Sequence, residues 1–142
     1  MSSNLTKWDQ RKSASEKAGH LLKNKYPDIL PANFCFPVGV GWKNIMDDLC
    51  NSVQDVLKHL PQSFYFKIYR VKEKFGGLRV HENLSDSFSN NRLTLIYLLI
   101  EEAEKKSCKT CKYCGKPGTL RNTAPKSIMH ETLCDECNGK PL

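Results

Sequence analysis

Cys111-Lys112-Tyr113-Cys114 is followed, after nineteen intervening residues, by Cys134-Asp135-Glu136-Cys137. Two Cys-x2-Cys pairs at this separation are the pattern of a four-thiolate metal site. Each tight turn brings two sulfurs to one side of a loop. Two such loops complete a tetrahedron with Zn–S distances of about 2.3 Å. Gly115 after the first pair and Asn138-Gly139 after the second suit the left-handed backbone that such knuckles need. The spacing therefore predicts one structural zinc held by Cys111, Cys114, Cys134 and Cys137. Cys108 offers a competing first pair with Cys111, but Gly115 favours Cys111/Cys114 and leaves Cys108 as a spare thiol ending a helix. His130 is a weaker candidate ligand, and Cys50 reads as a small buried hydrophobe.

A site closed by four cysteines has no open position for water, which catalytic zinc requires. The chain contains no His-Glu-x-x-His, Gly-x4-Gly-Lys, Gly-x-Ser-x-Gly or Gly-x-Gly-x-x-Gly motif. The deaminase pattern of His-x-Glu with Pro-Cys-x-x-Cys is also missing. The expectation is a protein that is not an enzyme, with no small-molecule substrate. His20, His59 and His81 lie outside any pattern and are expected at the surface.

The segment that carries the cysteines cannot position them alone. From residue 108 onward large apolar side chains are few: Tyr113, Leu120, Ile128, Met129, Leu133 and Leu142. So short a chain needs a metal or disulfides to fold. Thr119–Asn122 and Ile128–Leu133 can pair as a hairpin around Ala124-Pro125, the outline of a zinc ribbon. Upstream, Lys7 to Tyr26 is compatible with a helix carrying a thin stripe of Ala14, Ala18, Leu21 and Leu22, stopped by Pro27. Asp28 to Gly41 reads as a loop with extended character. Trp42, Ile45, Met46, Leu49, Cys50, Val53, Val56, Leu57 and Leu60 recur at spacings of three and four, one face of a second helix ended by Pro61.

Ser63 to Lys72 is rich in aromatic and β-branched residues and reads as a strand. Alternation puts Phe64, Phe66 and Ile68 on one face and Tyr65, Tyr69 and Val71 on the other or near the edge. Gly76-Gly77 offers the turn into a second strand, Leu78 to His81. Lys72, Glu73 and Lys74 read as a solvated charge run, and Asn83 to Asn91 as a polar loop. Leu93 to Lys106 is a third helix, since Glu101/Lys105 and Glu102/Lys106 pair at i,i+4. Leu93, Ile96, Tyr97 and Ile100 would face inward. The fold class is thus α+β: helices on a small antiparallel hairpin over residues 1–107, then a four-cysteine ribbon over 108–142.

The 142 residues suit one domain plus a small module, and the composition, 39% apolar and 26% charged, is that of a globular chain. No apolar run is long enough for a membrane span, and the opening residues have no apolar stretch of signal-peptide type. With seven cysteines, an odd number, a cytoplasmic, reducing setting is expected rather than a disulfide framework. The net charge of +7 is spread along the chain with no polybasic tract, and favours an anionic partner only weakly.

Val71-Lys72-Glu73-Lys74-Phe75-Gly76-Gly77-Leu78-Arg79, Ile100 to Glu104, Thr110 to Gly118 and Thr132 to Cys137 occur in that order, after Gly41-Trp42 at a helix start. This arrangement, over about residues 38–138, resembles a family of small bacterial and phage proteins of unassigned role. The resemblance implies a zinc-bound C-terminal ribbon and supplies no activity. Members often carry histidine at the position of Cys137, so the fourth ligand varies in type.

Three functions compete, the least favoured being an enzyme with an unrecognised site. A stoichiometric protein binder, such as an immunity protein or an anti-defence inhibitor, would use aromatic and arginine anchors. Tyr65, Tyr69, Arg70, Phe75 and Arg79 are the candidates, with core packing as the competing role for the aromatics. A nucleic-acid binder would neutralise phosphates with Lys109, Lys112, Lys116 and Arg121 on the ribbon.

Overall fold

Thr6 starts the first helix by a reciprocal cap: the Asp9 N–H donates to Thr6 Oγ1 at 3.1 Å, and the Asp9 carboxylate accepts from the Thr6 N–H. The computed structural model describes residues 6–61, 63–85, 91–124 and 129–139. Its elements are α1 (Lys7–Lys25), a 3-10 turn (Val40–Trp42), α2 (Lys43–Leu57), β1 (Phe66–Lys74), β2 (Gly77–Leu84) and α3 (Asn91–Ser107). The ribbon adds β3 (Thr119–Ala124), β4 (Met129–Leu133) and α4 (Asp135–Asn138). Among the described residues the architecture is α+β, four helices and two small antiparallel sheets, β1-β2 and β3-β4. Pro125, Ile128 and Leu142 lie outside the described residues, as does most of the polar loop expected before Asn91.

α2 supplies the spine of the core. Ile45, Met46, Leu49, Cys50, Val53 and Val56 are buried on one face and pack on α3, which in turn covers β2. Trp42, fully buried, begins that face. Cys50 is fully buried too, and burial pushes its thiol up to about 12, so it behaves as a hydrophobe. Burial alternates over residues 33–38, with Phe34, Phe36 and Val38 buried and the intervening residues exposed.

Three facing assignments change. Leu21 is 57% exposed, because Ala18, Leu22 and Tyr26 carry the buried side of α1. Tyr97 is 48% exposed: Leu93, Ile96, Ile100 and Ala103 make the narrow buried stripe of α3. Val71 moves the other way and is buried. The register shifts between Ile68 and Arg70, leaving Tyr69 as the extra residue of a β-bulge. One extra residue reverses the alternation, so Val71 joins Phe66 and Ile68 while Tyr69 and Arg70 both face out. His81 is half-buried rather than at the surface, paired with Arg70 across the hairpin, its ring 6.1 Å from that of Tyr69.

The β1-β2 turn is also displaced by one residue. Lys74 pairs with Gly77, so the two-residue loop is Phe75-Gly76. Both have positive φ, 52° and 78°, as a type I′ turn requires. The far edge of β2 is closed by side chains of α3: the Leu78 N–H donates to Ser107 Oγ at 2.8 Å and the Val80 N–H to Glu104 Oε2 at 2.9 Å.

Candidate metal centre and its docking onto the core

The sulfurs of Cys111, Cys114, Cys134 and Cys137 all lie within 4.8 Å of one another, and Cys114 Sγ is 3.6 Å from Cys134 Sγ. A tetrahedral four-sulfur site has S···S separations of about 3.8 Å, so the donor set fits a metal after small adjustments. Two local devices shape it. Gly115, at φ 80°, turns the chain after the first pair, and its N–H donates to the Cys111 carbonyl at 2.9 Å. Cys134 caps α4, where the Cys137 N–H donates to Cys134 Sγ at 3.3 Å. Gly139 has an ordinary negative φ of −84°, because α4 runs to Asn138 and leaves no left-handed position there.

Electrostatics prepare Cys111. Burial raises its thiol, but backbone N–H groups of Cys134, Cys114 and Tyr113 bring it down to about 6. Burial and the neighbouring sulfurs push Cys137 up to about 12 and Cys114 upward as well. One thiolate therefore forms readily and opposes the next; a divalent cation removes that conflict by holding all four as thiolates. Cys108 is exposed and His130 is half-buried, and neither belongs to the four-residue cluster. Instead, Cys108 Sγ lies 2.9 Å from where a Cβ on Gly77 would stand. Cys108→Ser is expected to retain one metal per chain, whereas Cys114→Ser loses it, by elemental analysis of protein purified without chelator.

The first knuckle is built into the core. The Gly41 N–H donates to the Lys112 carbonyl at 2.8 Å, and Trp42 Nε1 donates to the Thr110 carbonyl at 2.9 Å. A Cβ on Gly41 would lie 2.1 Å from the Cys111 oxygen, and one on Gly39 would lie 2.0 Å from the Lys112 oxygen. Only glycine lets the two backbones approach so closely. The β1-β2 turn makes the second attachment: buried Thr132 Oγ1 donates to the Gly76 carbonyl at 2.7 Å. No known motif marks these docking residues. Their signal was Gly39-Val40-Gly41 immediately before a helix start.

Lys112 completes the joint. Its ammonium, 12% exposed, sits 2.9 Å from Glu73 and 2.6 Å from Glu131. Glu73 is thus an ion-pair partner between hairpin and ribbon, not part of a solvated run. Burial works against the charge on Lys112, but Glu131 and Glu73 raise its pKa overall. Burial likewise opposes the Glu131 charge, and Lys112 lowers its pKa overall. Lys112→Met leaves two carboxylates facing each other and is expected to cost about 2–3 kcal/mol at neutral pH. The depressed Glu131 pKa means that its stabilisation is present above the usual carboxylate range and fades as pH falls through the folded value. The deficit of Lys112→Met relative to the parent, read by urea unfolding, should therefore shrink in acid.

Of the other ribbon cations, Arg121 donates to Asp135 at 2.7 Å and to the Leu133 carbonyl at 3.0 Å. Lys116 stands 3.9 Å from Glu136, and Lys109 is exposed outside these pairs. On the hairpin, Tyr65, Tyr69, Arg70 and Phe75 are exposed and Arg79 is half-buried, cross-strand from Lys72. No helix among the described residues is long and apolar enough to cross a membrane. No protein-family model, curated protein or solved structure matches the chain. Function must therefore be read from the geometry itself.

Proposed function

We propose that the four cysteines hold one structural zinc and that the protein is non-catalytic, acting by stoichiometric binding to a protein partner. Four thiolates in a compact tetrahedral set suit zinc, which supplies folding energy to the ribbon. A closed shell leaves no site for a reacting water. The partner-binding surface is the outer face and tip of the β1-β2 hairpin.

The observation that carries this reading is Phe75. It is 68% exposed and occupies a left-handed backbone position that disfavours a bulky side chain. Strain of this kind persists where the surrounding structure holds it and a function uses it. Gly76, docked under Thr132 beside the ribbon, holds the tip. Tyr69, 52% exposed at the bulge, with Tyr65 and Arg70, extends the face. Aromatic side chains and arginine dominate interface hot spots, and here they are outward rather than in the core. An immunity protein or an anti-defence inhibitor of small size would bind in this way. The ribbon cations support a nucleic-acid role less, since Lys112 and Arg121 are committed to carboxylates.

Phe75→Asn separates binding from folding. Asn-Gly is the preferred type I′ pair, so the variant should gain about 1 kcal/mol of stability. It should also lose capture of the partner in a pull-down from the native host. Capture unchanged by Phe75→Asn and Tyr69→Ala together would reject the surface. Tight, salt-sensitive binding to mixed DNA and RNA, lost on replacing Lys109, Lys112, Lys116 and Arg121, would reject the protein-binding reading in favour of nucleic acid.

A further inference from the structure

The outer face of the β1-β2 hairpin concentrates positive charge. Past the bulge at Tyr69, the residues Arg70, Lys72 and Lys74 share that face, opposite His81, Arg79 and Gly77 of β2. Arg70 and Lys74 are exposed, and Lys72 and Arg79 are half-buried. Lys72 and Arg79 are two cations directly across the ladder from each other. Side chains so placed have Cβ atoms about 5 Å apart, and like charges there are destabilising. Among the described residues, no carboxylate forms an ion pair with Arg70, Lys72, Lys74 or Arg79.

The acids of the hairpin lie on the other side of its sheet. Glu73 is opposite Leu78 and bonded to Lys112, and Glu82 is opposite Ile68. A surface shaped only by solubility intersperses the two signs. The ribbon does so: Lys112, Lys116 and Arg121 each face a carboxylate. On the hairpin the signs are instead sorted by face, at a cost to the ladder. Aromatic side chains stand among the cations. Tyr69 is 52% exposed at the bulge, and the Lys74 ammonium lies 5.6 Å from the ring of Phe75 at the tip.

We propose that this face recognises an acidic patch on a protein, whose carboxylates answer Arg70, Lys72, Lys74 and Arg79 while Tyr69 and Phe75 pack between them. The inference rests on the partner-binding reading of the hairpin and names the chemistry of the partner. Arginine offers a carboxylate a planar donor fork. Opposite potentials speed encounter and fix the register of docking. The extent of the patch favours a protein over nucleic acid. Past the tip, Lys112 is held by Glu73 and Glu131, and Arg121 by Asp135. A line of phosphates continuing beyond the hairpin would run onto cations already paired with carboxylates, whereas a compact acidic patch needs no such continuation.

The probe is a short oligo-L-glutamate, titrated into the full-length protein and read in 1H–15N spectra. The signals of Arg70, Lys72 and Arg79 are expected to move in a saturable way that weakens as salt rises. Those of Lys109 and Lys116 on the ribbon should stay in place. Lys72→Glu should weaken this binding about tenfold. It should also raise the urea midpoint, because it sets opposite charges across the ladder. A lysine with a merely structural role would lose stability instead. Lys17→Glu, exposed on α1, makes the same change in net charge and should keep the parent affinity. Failure of the hairpin signals to move, equal movement of the ribbon signals, an equal loss in Lys17→Glu or a lower midpoint in Lys72→Glu overturns the proposal. So does tighter binding of an oligothymidylate of equal charge at the same salt, which assigns the face to nucleic acid. Capture from the native host separates this inference from the reading beneath it. Capture lost in Phe75→Asn but kept in the double variant Arg70→Glu, Lys72→Glu leaves the surface and removes the acidic partner. Capture indifferent to both removes both.

Discussion

Cys134→Ser is expected to release the metal, unfold the ribbon and lower the stability of the helical core with it. Structural zinc in small finger peptides supplies about 10–16 kcal/mol of apparent binding energy, which is folding energy for the segment that holds it. The ribbon has little else: its buried cluster is Cys111, Leu133 and Cys134, with Tyr113 and Cys137 packed against it. Cys134 also caps α4 through its sulfur, so serine removes a ligand and a turn together. The core then loses the bonds from Gly41 and Trp42 to the first knuckle and from Thr132 to Gly76. At about 1 kcal/mol each, these three cost the core about 3 kcal/mol. Elemental analysis gives the metal content, and Trp42 fluorescence during urea unfolding reads the core. A variant that keeps one zinc per chain and the parent midpoint would refute the assignment of the site.

Gly41→Ala tests the joint without touching a ligand. The added methyl would stand 2.1 Å from the Cys111 carbonyl oxygen and 2.7 Å from the Gly115 nitrogen, both backbone atoms that cannot rotate away. Either the knuckle moves off the core, breaking the Gly41–Lys112 and Trp42–Thr110 bonds, or the chain deforms around them. Overpacking of this kind costs about 3 kcal/mol. Metal content should stay at the parent value, because all four cysteines remain. The expected signature is thus a lower melting temperature at unchanged zinc, with the Trp42 indole signal shifted as its acceptor is lost. Parent stability in this variant would mean that the ribbon is not seated on the 3-10 turn.

The same pair of results marks where local pattern ends. The ribbon's four-cysteine cluster was legible because a Cys-x2-Cys turn is a local object: three peptide units place both sulfurs, and only the meeting of two turns is long-range. α2 was legible for a similar reason, since its buried residues follow one period without interruption from Ile45 to Val56. Gly115 could be assigned its turn, whereas Gly139 could not, because α4 decides its φ.

Period-based reading failed wherever a single residue changed the phase or a distant segment changed the environment. One bulged residue at Tyr69 reversed the facing of Val71, and no property of Tyr69 itself announces a bulge. Phe75 entered the turn in place of Gly77 because pairing of Lys74 with Gly77 sets the loop, and that register depends on the whole hairpin. Lys112 and Glu73, thirty-nine residues apart, each look like solvent-exposed charges in their own segments. By itself the sequence determined which four cysteines cluster, the three long helices and the α+β class, because spacing over a few residues fixes which side chains share a turn or a face. The tertiary structure alone decided which charges are buried in pairs and which glycines admit another backbone. Those properties are set by contacts between segments, and burial and hydrogen bonding exist only once the segments have met.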